Sequence, residues 1–171
     1  MIVIQELHQC DGELRVPQPS AAHEWDGQNW VFNTDAQTAL DLQEAERLCA
    51  KVDATADNAR TALAGDSLKA TEYAQAAADA QAFRDAGYPK KEVPLSVAAW
   101  VAKGRSAKQA AEQILSKAEQ LTDHLLTLRT LRLKAKAQVR ALAGKGKIDL
   151  ARSAADEALI AMGELASGLS S

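Results

Sequence analysis

The sequence predicts a mainly α-helical protein in which a small N-terminal β-hairpin segment is followed by long alanine-rich helices forming a helical bundle or coiled coil. Of the 36 alanines in 171 residues, 34 come after residue 35, and alanine is the best helix former because its side chain loses no rotamer entropy in a helix. Apolar residues in that region recur at alternating steps of three and four. Before it, two Asp-Gly pairs punctuate short strand-like runs. The chain therefore divides into a β segment over 1–33 that carries a tryptophan hairpin, heptad helices over 34–86, and a C-terminal helical region over 87–171.

Within the β segment, Asp11-Gly12 and Asp26-Gly27 are flanked by runs such as Ile2-Val3-Ile4 and Trp30-Val31-Phe32. Asp-Gly between such runs signals a tight hairpin, since both turn residues need positive φ. A two-residue loop at Asp26-Gly27 pairs Trp25 with Gln28 and His23 with Trp30. Alternation along the strands then puts His23, Trp25, Trp30 and Phe32 on one face. Pro17 and Pro19 separate the two hairpins, because proline has no place in a central strand.

At Thr34 the pattern switches. Thr34 and Gln37 have capping-box spacing and open a helix to about Ala64, where Gly65 ends it. Its seam is Leu42, Ala45, Cys49, Val52, Ala56, Ala59 and Leu63, three heptads long. A second helix over about 67–86 carries Ala70, Tyr73, Ala77 and Ala80 before Gly87. Tyr88 to Pro94 reads as a loop, and a short helix over about Leu95 to Lys103 follows. Ser106 with Gln109 forms another capping box, and its helix reaches Ala143 with the seam Ala107, Ala111, Ile114, Ala118, Leu121, Leu125 and Leu128. Gly144 and Gly146 stop it. A last helix from about Ile148 carries Ala151, Ala155, Ala158, Met162 and Leu165, and the tail from Ser167 to Ser171 frays. Alanine-rich seams bury little apolar area each, so these helices need partners in this chain or another, and self-association through them is one outcome.

Catalytic and cofactor chemistry find no footing. Among His8, Cys10, His23, Cys49 and His124, only His8 and Cys10 have a ligand-like spacing, and two residues do not make a zinc site. Cys49 sits at a heptad core position, where a thiol behaves as a small hydrophobe. Gly144 and Gly146 follow a helix rather than a strand, so they are no phosphate loop. The carboxylates Asp35, Asp41, Glu44, Glu46, Asp53 and Asp57 read as the wet face of a helix. The expectation is a protein that is not an enzyme and uses no cofactor or metal. Two isolated cysteines fit a reducing, cytoplasmic setting; the sequence has neither a signal-peptide pattern nor an apolar run of membrane length.

The formal net charge of −3 conceals an asymmetry, because residues 103–152 sum to +8 and the remainder to −11. Arg129, Arg132, Lys136 and Arg140 step along one helical face, with Lys134, Lys145 and Lys147 nearby. Such a stripe could neutralise phosphates. The acidic first helix offers an intramolecular partner instead, and no aromatic follows Trp100 to stack bases. Trp25 and Trp30 either fill the core of a small sheet or form an aromatic platform that grips a partner, since tryptophan is enriched at interface hot spots.

The run Trp25-Asp26-Gly27-Gln28-Asn29-Trp30 resembles the W-x-G-x-x-W hairpin near the start of many tail-fibre assembly proteins of tailed phages and R-type pyocin-like bacteriocins. Ala82-Phe83-Arg84-Asp85-Ala86-Gly87-Tyr88, Val93-Pro94, Val97-Ala98-Ala99-Trp100 and Ala110-Ala111-Glu112-Gln113-Ile114-Leu115 also resemble a stretch common in phage tail proteins of this group. Members of that family are chaperones of the trimeric receptor-binding fibre, typically engaging its C-terminal end without nucleotide or metal. The resemblance implies a tail-fibre partner, with Trp25, Trp30, Phe32, Tyr88 and Trp100 as candidate contacts. The rivals are a basic helical nucleic-acid binder and a structural coiled-coil component that stays in the particle.

Overall fold

The computed structural model describes residues 8–10, 13–101 and 104–168. Ile2-Val3-Ile4, the turn residues Asp11 and Gly12, Lys103 and the last three residues of the tail lie outside the described residues. Two antiparallel hairpins precede a helical body. Strands β1 (His8–Cys10) and β2 (Glu13–Arg15) form the first, with Cys10 opposite Glu13. Strands β3 (His23–Trp25) and β4 (Trp30–Phe32) form the second.

The second hairpin corrects the expected register. Trp25 lies opposite Trp30 and His23 opposite Phe32, so the loop holds four residues rather than two. Asp26 explains the longer loop: its Oδ1 accepts the backbone N–H groups of Gln28 at 2.8 Å and Asn29 at 2.6 Å, and its own N–H donates to the Asn29 carbonyl at 3.1 Å. This is an Asx turn, in which the side chain replaces a backbone acceptor. Only Gly27, at φ 105°, sits in the left-handed region. Because the register differs by two residues, the same four side chains still share one face.

Helix α1 (Thr34–Ala64) is capped by Asn33, whose side chain accepts from the N–H groups of Asp35 and Ala36, rather than by the expected Thr34–Gln37 box. Asparagine one residue earlier satisfies the orphan donors first, and Thr34 becomes the first helical residue. Gly65, at φ 73°, ends α1 as expected, and Asp66 immediately caps α2 (Ser67–Asp85). The short helix α3 is confined to Leu95–Ala98, well short of Lys103. The Ser106–Gln109 capping box is present at the start of α4 (Ala107–Ala143), and α5 (Ile148–Ser167) closes the chain after a turn through Gly146 at φ 66°.

Helices α1, α4 and α5 form a three-helix bundle, while α2 and α3 pack on the N-terminal half of α4. Ion pairs fix the directions. Asp53 and Glu46 of α1 meet Arg132 and Arg140 of α4, so those two helices are antiparallel. Glu44 and Lys51 of α1 meet Arg152 and Asp156 of α5, so these run parallel. The bundle core holds Leu48, Val52, Leu128, Val139 and Met162 among alanines such as Ala45, Ala56, Ala135, Ala151 and Ala155, whose small side chains let the helices approach closely. A smaller core gathers Ala80, Phe83, Val97, Ala110, Ala111 and Ile114.

Three seam assignments are corrected by this packing. Leu42 is exposed, and Leu48 takes the core position instead. Tyr73 is exposed, and α2 buries Ala80 and Phe83. Ala118, Leu121 and Leu125 are only half-buried, because they lie on the stretch of α4 between the two cores.

Glu44 has a pH consequence. Its carboxylate accepts from Arg47 at 2.6 and 2.9 Å and from Arg152 at 3.0 Å, and these bonds hold its pKa at about 2 against an ordinary 4.5. Folding lowers this pKa, so the stabilisation is fully present above about pH 4.5 and is lost as pH falls towards 2. Glu44→Gln should therefore be less stable than the wild type near neutrality, with the gap closing in acid. Urea midpoints at pH 7 and pH 3 check it.

Candidate partner-binding site

The second hairpin is an aromatic cluster of its own. Trp25 and Trp30 meet edge to face at 5.4 Å between ring centres, and His23 and Phe32 do the same at 5.4 Å. The segment before β3 folds over this face: Trp30 Nε1 donates to the Val16 carbonyl at 2.8 Å, and the Arg15 guanidinium stacks 4.9 Å above the Trp25 ring. Gln18 Nε2 donates to the His23 carbonyl at 2.7 Å, and Ser20 Oγ lies 2.8 Å from His23 Nδ1. Ala22 is buried beneath them, and the Asn33 N–H donates to its carbonyl at 2.7 Å. Trp25 and Trp30 are half-buried, whereas Val31 and Phe32 are about half exposed, at 49% and 51%.

Strands β3 and β4 make no substantial packing with any helix among the described residues. Between the hairpin and the first turn of α1 lies an open cleft of about 520 Å³, lined by Trp25, Val31, Phe32 and Asn33 with Glu24 and Asp35 at its edge. Asp26, held low in pKa by the Asn29 and Gln28 N–H groups, adds a third carboxylate. The cleft mixes apolar side chains with the three carboxylates of Glu24, Asp26 and Asp35. Its exposed apolar side chains and carboxylates are groups that can bind a partner.

Tyr88 and Trp100 lie elsewhere, so the structure separates the five candidate contacts into two groups. The 31 residues of α1 span about 46 Å, and Trp100 sits beside Leu63 at the far end from the hairpin. Tyr88, at φ 61°, follows Gly87 and donates its N–H back to the Phe83 carbonyl, which turns its ring edge-on to Phe83 at 5.4 Å. Its hydroxyl donates to the Glu112 carboxylate, which pushes the phenol pKa up. Lys108 covers the Tyr88 ring at 5.1 Å, and Lys117 covers Trp100 at 4.8 Å. Trp100 borders a groove of about 460 Å³ with Leu63, Tyr73, Ile114, Ala118 and Leu121. Sequence periodicity gave no sign of this groove, because it arises where the two cores fail to meet.

The basic stripe is largely engaged within the chain. Arg132 and Lys136 each reach Asp53 at 2.5 Å, and Arg140 holds Glu46 through two bonds at 2.9 and 3.0 Å. Lys136 and then Arg132 hold the Asp53 pKa down. Cys49 is buried against the Lys136 carbonyl at 3.9 Å, and burial pushes its thiol pKa up. Among the described residues, no three His, Cys, Asp or Glu side chains group as metal ligands, and no helix is long and apolar enough to cross a membrane. No protein family, curated protein or solved structure matches the chain.

Proposed function

We propose that this chain is a tail-fibre assembly chaperone, acting in the bacterial host cytoplasm by holding the C-terminal region of a phage or bacteriocin receptor-binding fibre without catalysis. The observation that carries the reading is the Trp25–Trp30 hairpin, whose strands make no substantial packing with the helices and leave Phe32 on the aromatic face, and Val31 on the opposite one, exposed. Large aromatics are among the residues that most often anchor an interface, and a group of them already packed edge to face on a hairpin is preorganised for that use. The W-x-G-x-x-W pattern supports the same partner. In this reading the helical bundle is the scaffold, and the groove beside Trp100 offers a second contact.

Co-expression with the neighbouring fibre polypeptide tests it. The expected result is a complex that co-purifies and yields more soluble trimeric fibre than expression of the fibre alone. Equal yields of trimer with and without the chain, and no complex, would reject the reading. The complex should also persist as salt rises, because an apolar interface is not screened as phosphate contacts are.

The nucleic-acid reading makes a different prediction. With Arg132, Lys136 and Arg140 already paired to Asp53 and Glu46, the wild-type chain should retain no duplex DNA or RNA on a filter at physiological salt. A retained signal that disappears in Arg132→Ala with Lys136→Ala would favour that rival.

A further inference from the structure

Helix α4 carries a second seam on its outer face. Glu119, Asp123, Leu126, Thr130, Leu133 and Ala137 follow one another at alternating steps of four and three, with Arg140 one step further, and all are exposed. Leu126 and Leu133 are 57% and 54% exposed. A heptad pattern is the spacing that keeps one stripe of a helix facing a partner helix. The inner seam of α4, with Ile114, Leu128, Ala135 and Val139, is consumed by the chain's own cores. Arg132 and Lys136 mark the side that faces α1. The outer seam is open along about 30 Å of helix.

We propose that this face is the two-fold interface of a homodimer, with α4 of one copy packed antiparallel on α4 of a second and the axis passing beside Thr130. The sequence is self-complementary about that point. Leu126 and Leu133 are equidistant from the midpoint between Arg129 and Thr130, as are Glu119 and Arg140, so an antiparallel partner brings Leu126 against the partner's Leu133 and Glu119 against the partner's Arg140. Asp123 falls about 3 Å along the axis from the level of the partner's Lys134, within reach of that long side chain. Glu119, Asp123 and Lys134 have no ion pair within the chain among the described residues. Arg140 spends two donors on Glu46, and a guanidinium has five, so it can serve both carboxylates.

Charge decides the direction. A parallel, in-register pair would set Glu119 on Glu119, Asp123 on Asp123 and Arg140 on Arg140, each repulsive. The antiparallel pair makes four opposite-charge approaches in exchange for one like-charge approach, Arg129 across the axis. A self-complementary patch is what a two-fold dimer requires, and such dimers are the commonest oligomers.

Light scattering or sedimentation of the purified full chain at micromolar concentration tests this, and the expected mass is that of a dimer. Leu126→Lys with Leu133→Lys should give a monomer with wild-type helicity, because both side chains are more than half exposed in the single chain. Glu119→Arg should shift the dissociation constant upwards, and added salt should reduce that difference. With Cys10 replaced by serine, Thr130→Cys should form an interchain disulfide on mild oxidation and Glu119→Cys should not. A wild-type monomer across the concentration range, or a double lysine variant that stays dimeric, overturns the proposal. Self-linking of Glu119→Cys overturns the antiparallel arrangement. A wild-type monomer whose fibre capture is lost in the double lysine variant would assign the face to another protein and would equally overturn it.

Discussion

Leu128→Ala is expected to lower the unfolding free energy by about 2–5 kcal/mol, towards the upper end of that range. Leu128 is 1% exposed and is the largest fully buried side chain of the bundle, where α4 meets its two partners. The Asp53–Arg132 pair sets it level with Ala56 and Ala59 of α1, which have no rotamers with which to fill a void. The cavity would therefore remain, and a persistent cavity is what raises the cost of a large-to-small change. Against a total stability of roughly 5–15 kcal/mol for a domain, that loss is large. Leu121→Ala is the control: the side chain is half-buried beside the groove between the cores, so it should cost distinctly less. Urea unfolding followed by circular dichroism, with unchanged slope, measures both. A greater loss at Leu121 than at Leu128 would mean that the core is misplaced.

Trp30→Ala is expected to weaken fibre binding by about thirtyfold or more, the equivalent of ~2 kcal/mol, as tryptophans at interface centres commonly do. The change removes the edge-to-face contact with Trp25 and the bond to the Val16 carbonyl, so it disassembles the aromatic face rather than trimming it. Thermal unfolding of the helices should barely move, because the hairpin makes no substantial packing with them. This separation is the diagnostic. A loss of affinity that merely tracks a fall in melting temperature would make the hairpin a structural part. Wild-type affinity in a folded Trp30→Ala variant would move the binding surface to the groove beside Trp100.

Helix boundaries were legible because they are written in local chemistry. Gly65 needs its positive φ, Ser106 and Gln109 satisfy each other's backbone, and Gly144 to Gly146 break α4 where expected. The cap at Asn33 was missed because two good candidates stand side by side, and the sequence does not rank them. The hairpin face was legible since alternation survives a shift of two residues, but its register was not, because Asp26 can either occupy a tight turn or cap a wider one.

Which helix packs on which was beyond the sequence. Alanine seams are nearly interchangeable, so the periodicity of α1 fits α2, α4 or α5 equally well. The ion pairs Asp53–Arg132, Glu46–Arg140 and Glu44–Arg152 select among them, and the acidic α1 facing the basic stripe of α4 was the only hint. The gap between the two cores, and hence the exposed setting of Tyr73 and Trp100, is a property of that packing. The aromatic content pointed to Trp25, Trp30 and Phe32 together, but it could not reveal that Tyr88 and Trp100 lie a helix length away.

Hydrogen exchange of the full chain, alone and with the co-expressed fibre, tests the central claim most directly. The account predicts that fibre slows exchange in the amides of residues 22–33, with a smaller effect beside Trp100, and leaves the α1–α4–α5 core unchanged. A complex that forms with protection confined to the helices, and none over 22–33, would contradict it.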